Sequence, residues 1–222
     1  MHFEEHTRLD LRELKLKICG MREQANIREV SHLLPDYMGF IFYPASQRYA
    51  GTLNEEWLAG LSSQIKKTGV FVNAKISEIS TCIRRYHLDA VQLHGSEPAE
   101  LCRRIMDEGV EVIKAFGVDE SFDFNILRSY SPSTDYFLFD TKSNRHGGTG
   151  ISFDWTLLFR NDTDKMYFLS GGIGEENIGE VLQIADPRIY ALDLNSRFEQ
   201  APGVKDINKL THIFKRLKNQ SA

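Results

Sequence analysis

Cysteine is scarce in this chain: Cys19, Cys82 and Cys102 are the whole set, and no two of them stand as C-x-x-C. An odd, scattered set of thiols argues against a disulfide framework and against structural zinc. Positive charge is not in excess either, since 27 Lys and Arg against 31 Asp and Glu leave a formal net charge of -4. Nothing in that balance is built to neutralise the phosphates of a duplex, so no nucleic-acid partner is expected. No apolar run approaches the ~20 residues that cross a bilayer, and the opening Met1-His2-Phe3-Glu4-Glu5-His6 lacks the basic-then-apolar order of a signal peptide. The expectation is a cytoplasmic protein without a membrane partner. Linker-like Gly/Ser/Pro tracts and low-complexity segments are also missing, which favours one domain.

What the 222 residues do contain is 41% hydrophobic side chains, enough for a sizeable core. Eight short runs rich in β-branched and aromatic residues recur, at 14–19, 38–42, 69–72, 90–94, 111–115, 136–140, 166–170 and 189–193. Their ends lie about 21 to 30 residues apart, the length of a strand, a helix and two short loops. Helical spacing fills the gaps at 23–33, 54–66, 76–86, 98–107, 122–129, 153–159, 175–185 and 207–218. Pro98 suits a helix's first turn, and Asp206 is placed to cap the stripe of Ile207, Leu210, Ile213, Phe214 and Leu217. Eight βα units in about 200 residues predict a closed (β/α)8 barrel, the TIM-barrel architecture, over 14–220, with 1–13 as a charged extension.

Ligands of such barrels bind where the strands finish, and the residues at the run ends are Cys19, Asn73, His94, Asp140, Ser170 and Asp193. Polar groups are costly to bury unpaired, so six of them on one rim point to a site. Cys82 and Cys102 sit among helical apolar positions and read as small core residues. Cys19 closes a strand ahead of Gly20, where both a reactive thiol and a packed one are consistent with the sequence. Asp140 reads either as a proton-transfer carboxylate or as a loop cap. His94 reads as pocket lining, and no second His or carboxylate stands at metal-ligand spacing from it. Gly171-Gly172, after the seventh run and before a helix, offers closely approachable amides that suit a phosphate, and Asn195-Ser196 follows the eighth run.

Seven segments in order carry a family resemblance. They are Lys17-Ile18-Cys19-Gly20-Met21-Arg22, the stretch from Gly39 to Tyr49, Gly69-Val70-Phe71-Val72-Asn73, Val91-Gln92-Leu93-His94-Gly95, Phe139-Asp140-Thr141, Gly147-Gly148-Thr149-Gly150 with Phe153-Asp154-Trp155, and Leu169-Ser170-Gly171-Gly172-Ile173. Together they resemble the phosphoribosylanthranilate isomerases of tryptophan biosynthesis, from Leu14 to Lys218. The resemblance implies an Amadori rearrangement of a phosphorylated aminoaldose to an aminoketose by general acid–base catalysis, with no cofactor and no metal. It implies Asp140 as the acid, Cys19 as the base and Arg48 as the holder of the anthranilate carboxylate. The phosphate falls to Gly147-Gly148, Gly171-Gly172 and Asn195-Ser196, with Asp193 ordering the rim. The partner so implied is a small sugar phosphate, bound by a monomer or homodimer. The stretch from Asp193 to Glu199 departs from the pattern, since many relatives have a Ser-Ser-Gly-Val-Glu-like loop there. A histidine-pathway isomerase of the same architecture is disfavoured, because those carry an aspartate on the first strand and two similar half-barrels.

Overall fold

The computed structural model of the chain describes residues 13–51, 53–142 and 153–218. Eight parallel strands close on themselves in sequence order: β1 (Lys15–Ile18), β2 (Tyr37–Ile41), β3 (Lys66–Phe71), β4 (Ala90–Leu93), β5 (Glu111–Val118), β6 (Tyr136–Thr141), β7 (Tyr167–Leu169) and β8 (Ile189–Leu194). Closure is made by β1 pairing with β8, Lys17 opposite Asp193 and Ile18 opposite Leu194. Between strands run α1 (Gln24–Ser31), α2 (Glu55–Ala59), α3 (Ile76–Tyr86), α4 (Ala99–Met106), α5 (Leu127–Tyr130), a 3-10 segment (Trp155–Arg160) and α6 (Ile178–Val181). A small hairpin, β9 (Glu199–Ala201) with β10 (Val204–Lys205), precedes α7 (Ile207–Lys218). The expected (β/α)8 barrel is therefore the fold, and among the described residues no helix is long and apolar enough to cross a membrane.

Two apolar layers hold it. Alternation along the strands sends one set of side chains inward, where Tyr37, Ala90, Ile113, Ala115, Leu138, Phe168 and Ala191 pack as one cluster. The other set faces the helices in a larger core that includes Ile18, Phe40, Phe71, Leu93, Phe139 and Leu169. Each fully buried side chain of this size contributes roughly 1.5–3 kcal/mol. At the N-terminal end of the barrel, Tyr37 donates to Glu111 Oε2 over 3.0 Å and lies 3.2 Å from the Tyr190 hydroxyl. These three side chains are thus joined in one hydrogen-bonded group at that end.

The helices follow the sequence where a stripe and a stop agree. In α3, Ile79, Ile83 and Tyr86 are buried on one face, and His87 ends the helix with φ of 47°. Asp206 Oδ1 accepts from the Asn208 and Lys209 amides at 3.0 and 3.2 Å, capping α7 as expected. Pro98 stands one position before α4, as its cap residue. Four segments differ from expectation, the 153–159 helix being the 3-10 segment Trp155–Arg160. The 54–66 helix stops after Ala59, because Gly60 weakens it and the Ser62 hydroxyl takes the Gln64 amide, while Lys66 opens β3. The 175–185 helix shrinks to α6 because the Asn177 side chain is spent on the preceding loop, accepting from Gly174 N and donating to Gly172 O. The 122–129 segment is a 3-10 turn (Phe124–Ile126) followed by the single turn α5.

Candidate active site at the C-terminal mouth

Strand alternation from Lys17 to Cys19 places both side chains on the interior face of β1. Lys17 is fully buried, and its Nζ donates to Asp193 Oδ1 over 2.8 Å across the β1–β8 seam. Burial works against its charge, but Asp193 and then Cys19 outweigh burial, so its pKa is raised. Cys19 is 3% exposed, with burial pushing its thiol up while Lys17 and Lys205 pull it down. The net direction is up, so the resting group is a thiol held among ammonium groups. Room for its sulfur comes from Gly39, where a Cβ would stand 2.8 Å from Cys19 Sγ.

Asp140 is the penultimate residue of β6, at the same mouth. Burial lifts its carboxyl to about 6, opposed by the Thr141 amide, which donates to Oδ1 over 2.8 Å, and by Lys17, while Asp193 pushes further up. Ser170, buried at the end of β7, bonds to the same carboxylate. His94 Nε2 stands 3.6 Å from Asp140 Oδ2. On its other side the Gln92 side-chain amide lies 2.9 Å from His94 Nδ1. The Lys17–Asp193 pair acts on both Cys19 and Asp140. The two proposed proton carriers, 121 positions apart in the chain, thus share one ion pair as neighbour.

Two pockets meet at His94. One, of about 320 Å³, includes Asp140, Thr141, Ser96, Phe116 and Tyr130 in its wall. The other, a slot of about 30 Å³, is walled by Tyr43, Ser46, Arg48, Val70 and Asn195. Arg48 is buried, and its stem crosses Gly20, where φ is 81° and a Cβ would meet Arg48 Cδ at 2.8 Å. Glycine is required there both for the backbone and for the arginine. Its guanidinium is bound edge-on by Glu199, Nε at 2.9 and 3.0 Å from the two oxygens and Nη2 at 2.7 Å from Oε2.

Gly171 and Gly172 follow β7 with φ of 87° and 65°. A Cβ on Gly171 would lie 2.5 Å from Thr141 Oγ1 and 3.1 Å from Asp140 Oδ1, so this loop reaches the aspartate only as glycine. Asn195 and Ser196 lead the turn after β8, and Asn195 Oδ1 accepts from Lys205 Nζ over 2.7 Å. Gly147 and Gly148 lie outside the described residues. Of the six run-end residues, Asn73 is structural: with φ of 52° it accepts the Ser96 amide on Oδ1, while its own amide donates to Glu97.

Sequence reasoning passed over Glu199, Lys205 and the pair Glu97–Lys114. Lys114 Nζ reaches Glu97 Oε2 at 3.2 Å and the carbonyls of Leu93, Gly95 and Ala115, tying the ends of β4 and β5 together. The one available signal for the hairpin was the turn dipeptide Pro202-Gly203.

Fold and mouth together define a (β/α)8-barrel enzyme. The family profile of N-(5'-phosphoribosyl)anthranilate (PRA) isomerase matches residues 16–216. The N-(5'-phosphoribosyl)anthranilate isomerase of Parabacteroides distasonis is 43% identical over 204 residues, covering 91% of this chain and 92% of the relative. The dimeric phosphoribosylanthranilate isomerase of Thermotoga maritima has a solved structure that aligns at a TM-score of 0.81, with 34% identity, over 93% of this chain and 99% of that one. A solved structure of phosphoribosylanthranilate isomerase in complex with reduced 1-(o-carboxyphenylamino)-1-deoxyribulose 5-phosphate aligns at a TM-score of 0.77 with 33% identity, over 93% and 99% of the two chains. This chain belongs to the N-(5'-phosphoribosyl)anthranilate isomerase family and is an isomerase of tryptophan biosynthesis.

Proposed function

We propose that the mouth of this barrel converts N-(5-phospho-β-D-ribosyl)anthranilate to 1-(2-carboxyphenylamino)-1-deoxy-D-ribulose 5-phosphate with Asp140 as general acid and Cys19 as general base. Asp140 protonates the furanose ring oxygen as the C1'–O bond breaks and the nitrogen lone pair forms the Schiff base. Cys19 then takes the C2' proton, giving the enolamine, which tautomerises to the ketose. A carboxyl held at about 6 retains a useful protonated fraction near neutral pH, as a donor needs. A buried thiol must be drawn towards thiolate by positive charge, which Lys17 and Lys205 supply.

One observation carries the reading: Cys19 and Asp140, both at the C-terminal mouth, share the Lys17–Asp193 pair as neighbour. In the same reading Arg48 takes the anthranilate carboxylate, whose planar geometry matches a guanidinium edge. His94 lines the substrate pocket. Gly171, Gly172, Asn195 and Ser196 hold the phosphate, with Gly147 and Gly148. Residues 14–220 act as one catalytic unit with 1–13 appended, in the cytoplasm, as a monomer or homodimer. The test is a fluorescence assay following consumption of freshly made phosphoribosylanthranilate by the purified protein. Turnover in the wild type that survives unchanged in both Cys19→Ser and Asp140→Asn would overturn the mechanism.

A further inference from the structure

The β9–β10 hairpin lies outside the barrel sheet, yet it delivers two fully engaged charges to the mouth. Glu199 Oε1 accepts from Lys205 Nζ at 2.7 Å, from Gly203 N at 3.1 Å and from Arg48 Nε at 2.9 Å, while Oε2 takes Arg48 Nη2. Lys205 is 1% exposed, and its Nζ also donates to Asn195 Oδ1. The hairpin is itself clamped from below, since buried Asn26 on α1 donates to Lys205 O over 3.0 Å and accepts its amide over 2.7 Å. Buried charges are costly unless paired, and this set is paired on every side shown.

Around Cys19 the cations Lys17, Arg48 and Lys205 are paired with the carboxylates of Asp193 and Glu199. A guanidinium offers two bidentate edges. Glu199 occupies the Nε/Nη2 edge of Arg48, which turns the Nη1/Nη2 edge into the one that a substrate carboxylate can use. Free in solvent, an arginine would spread over many rotamers and lose that entropy on binding.

We propose that Glu199, fixed by Lys205, is the positioning residue for Arg48: it presets the orientation in which the guanidinium receives the aromatic carboxylate of the substrate. The inference rests on the reading of Arg48 as the carboxylate holder. Glu199 touches no reacting atom, so its effect falls on binding more than on proton transfer.

The test is a double-mutant cycle on Arg48→Ala and Glu199→Gln, with KM and kcat measured for phosphoribosylanthranilate and folding checked by thermal melting. Glu199→Gln is expected to raise KM about tenfold with kcat within about threefold of wild type. The double variant is expected to match Arg48→Ala, because Glu199 acts through the arginine. Glu199→Asp, which keeps the charge, should recover most of the loss in KM, and it carries the test if the glutamine variant does not fold. A raised KM in Arg48→Ala with a wild-type KM in Glu199→Gln, or penalties that multiply in the double variant, would overturn the positioning role alone. An unchanged KM in Arg48→Ala would remove the carboxylate-holder reading itself, and the inference with it.

Discussion

Lys17 Nζ donates to Asp193 Oδ1 over 2.8 Å in the interior of the barrel, and both residues act on Cys19 and Asp140. This pair spans the seam where the last strand meets the first, so closing the barrel and assembling the site are one event. Replacing Lys17 by Met should strand a buried carboxylate, at a cost of about 3–5 kcal/mol in chemical denaturation. It should also push the Cys19 thiol further up, because Lys17 is the largest influence pulling it down. Thiol alkylation against pH checks that direction, and an unmoved midpoint would separate Lys17 from the thiol.

Asp140→Asn and Cys19→Ser should each lower kcat by about two orders of magnitude with a modest change in KM, as expected when proton transfer alone is lost. The aspartate variant carries a second signature. Its folded carboxyl sits at about 6, above the ordinary value of 3.8, so its contribution to stability is fully present below about pH 4 and is lost as pH rises through 6. At pH 7 the ionised group is a burden, and Asn should stabilise the fold by on the order of 1–3 kcal/mol. Denaturation at pH 4 and pH 7 reads this directly. A variant equally destabilised at both would contradict a carboxyl raised by desolvation.

The pH dependence of kcat/KM should be a broad bell. Asp140 must hold its proton and Cys19 must lose one, yet the carboxyl lies at about 6 and the thiol above its ordinary value. Between those values the productive form is a minor tautomer of constant fraction, which gives a plateau; activity falls below about pH 6 and again on an alkaline limb. The residual activity of Asp140→Asn should lose the plateau and the alkaline limb and rise with pH until the thiol ionises, because only the thiolate requirement remains. An alkaline limb that persists in this variant would assign that limb to another group.

Gly39→Ala should damage the site without touching a charge. The added Cβ would stand 2.8 Å from Cys19 Sγ and 3.2 Å from its Cα, so the strand carrying the thiol must shift. A loss of about 1–3 kcal/mol is expected from such overpacking, together with a lower kcat. Wild-type melting and turnover would show that the sulfur has more room than the geometry allows.

Much of the site was legible because each strand end is a local feature. Cys19 before Gly20, Asp140 closing an apolar run and Gly171-Gly172 opening a loop can be read from neighbours in the chain, and all three stand at the C-terminal mouth. Asn73 shows the limit of that reasoning, since a polar run end can serve loop geometry alone.

The spacing of apolar runs determined the (β/α)8 architecture and put Cys19 and Asp140 at strand ends, because strand alternation and βα length are short-range properties. Barrel closure alone decided that Lys17 meets Asp193, and the β9–β10 hairpin alone decided that Glu199 meets Arg48, 151 residues away. Charges pair by distance in space, and no periodicity in the chain encodes which lysine or glutamate closure will bring within 3 Å of another group.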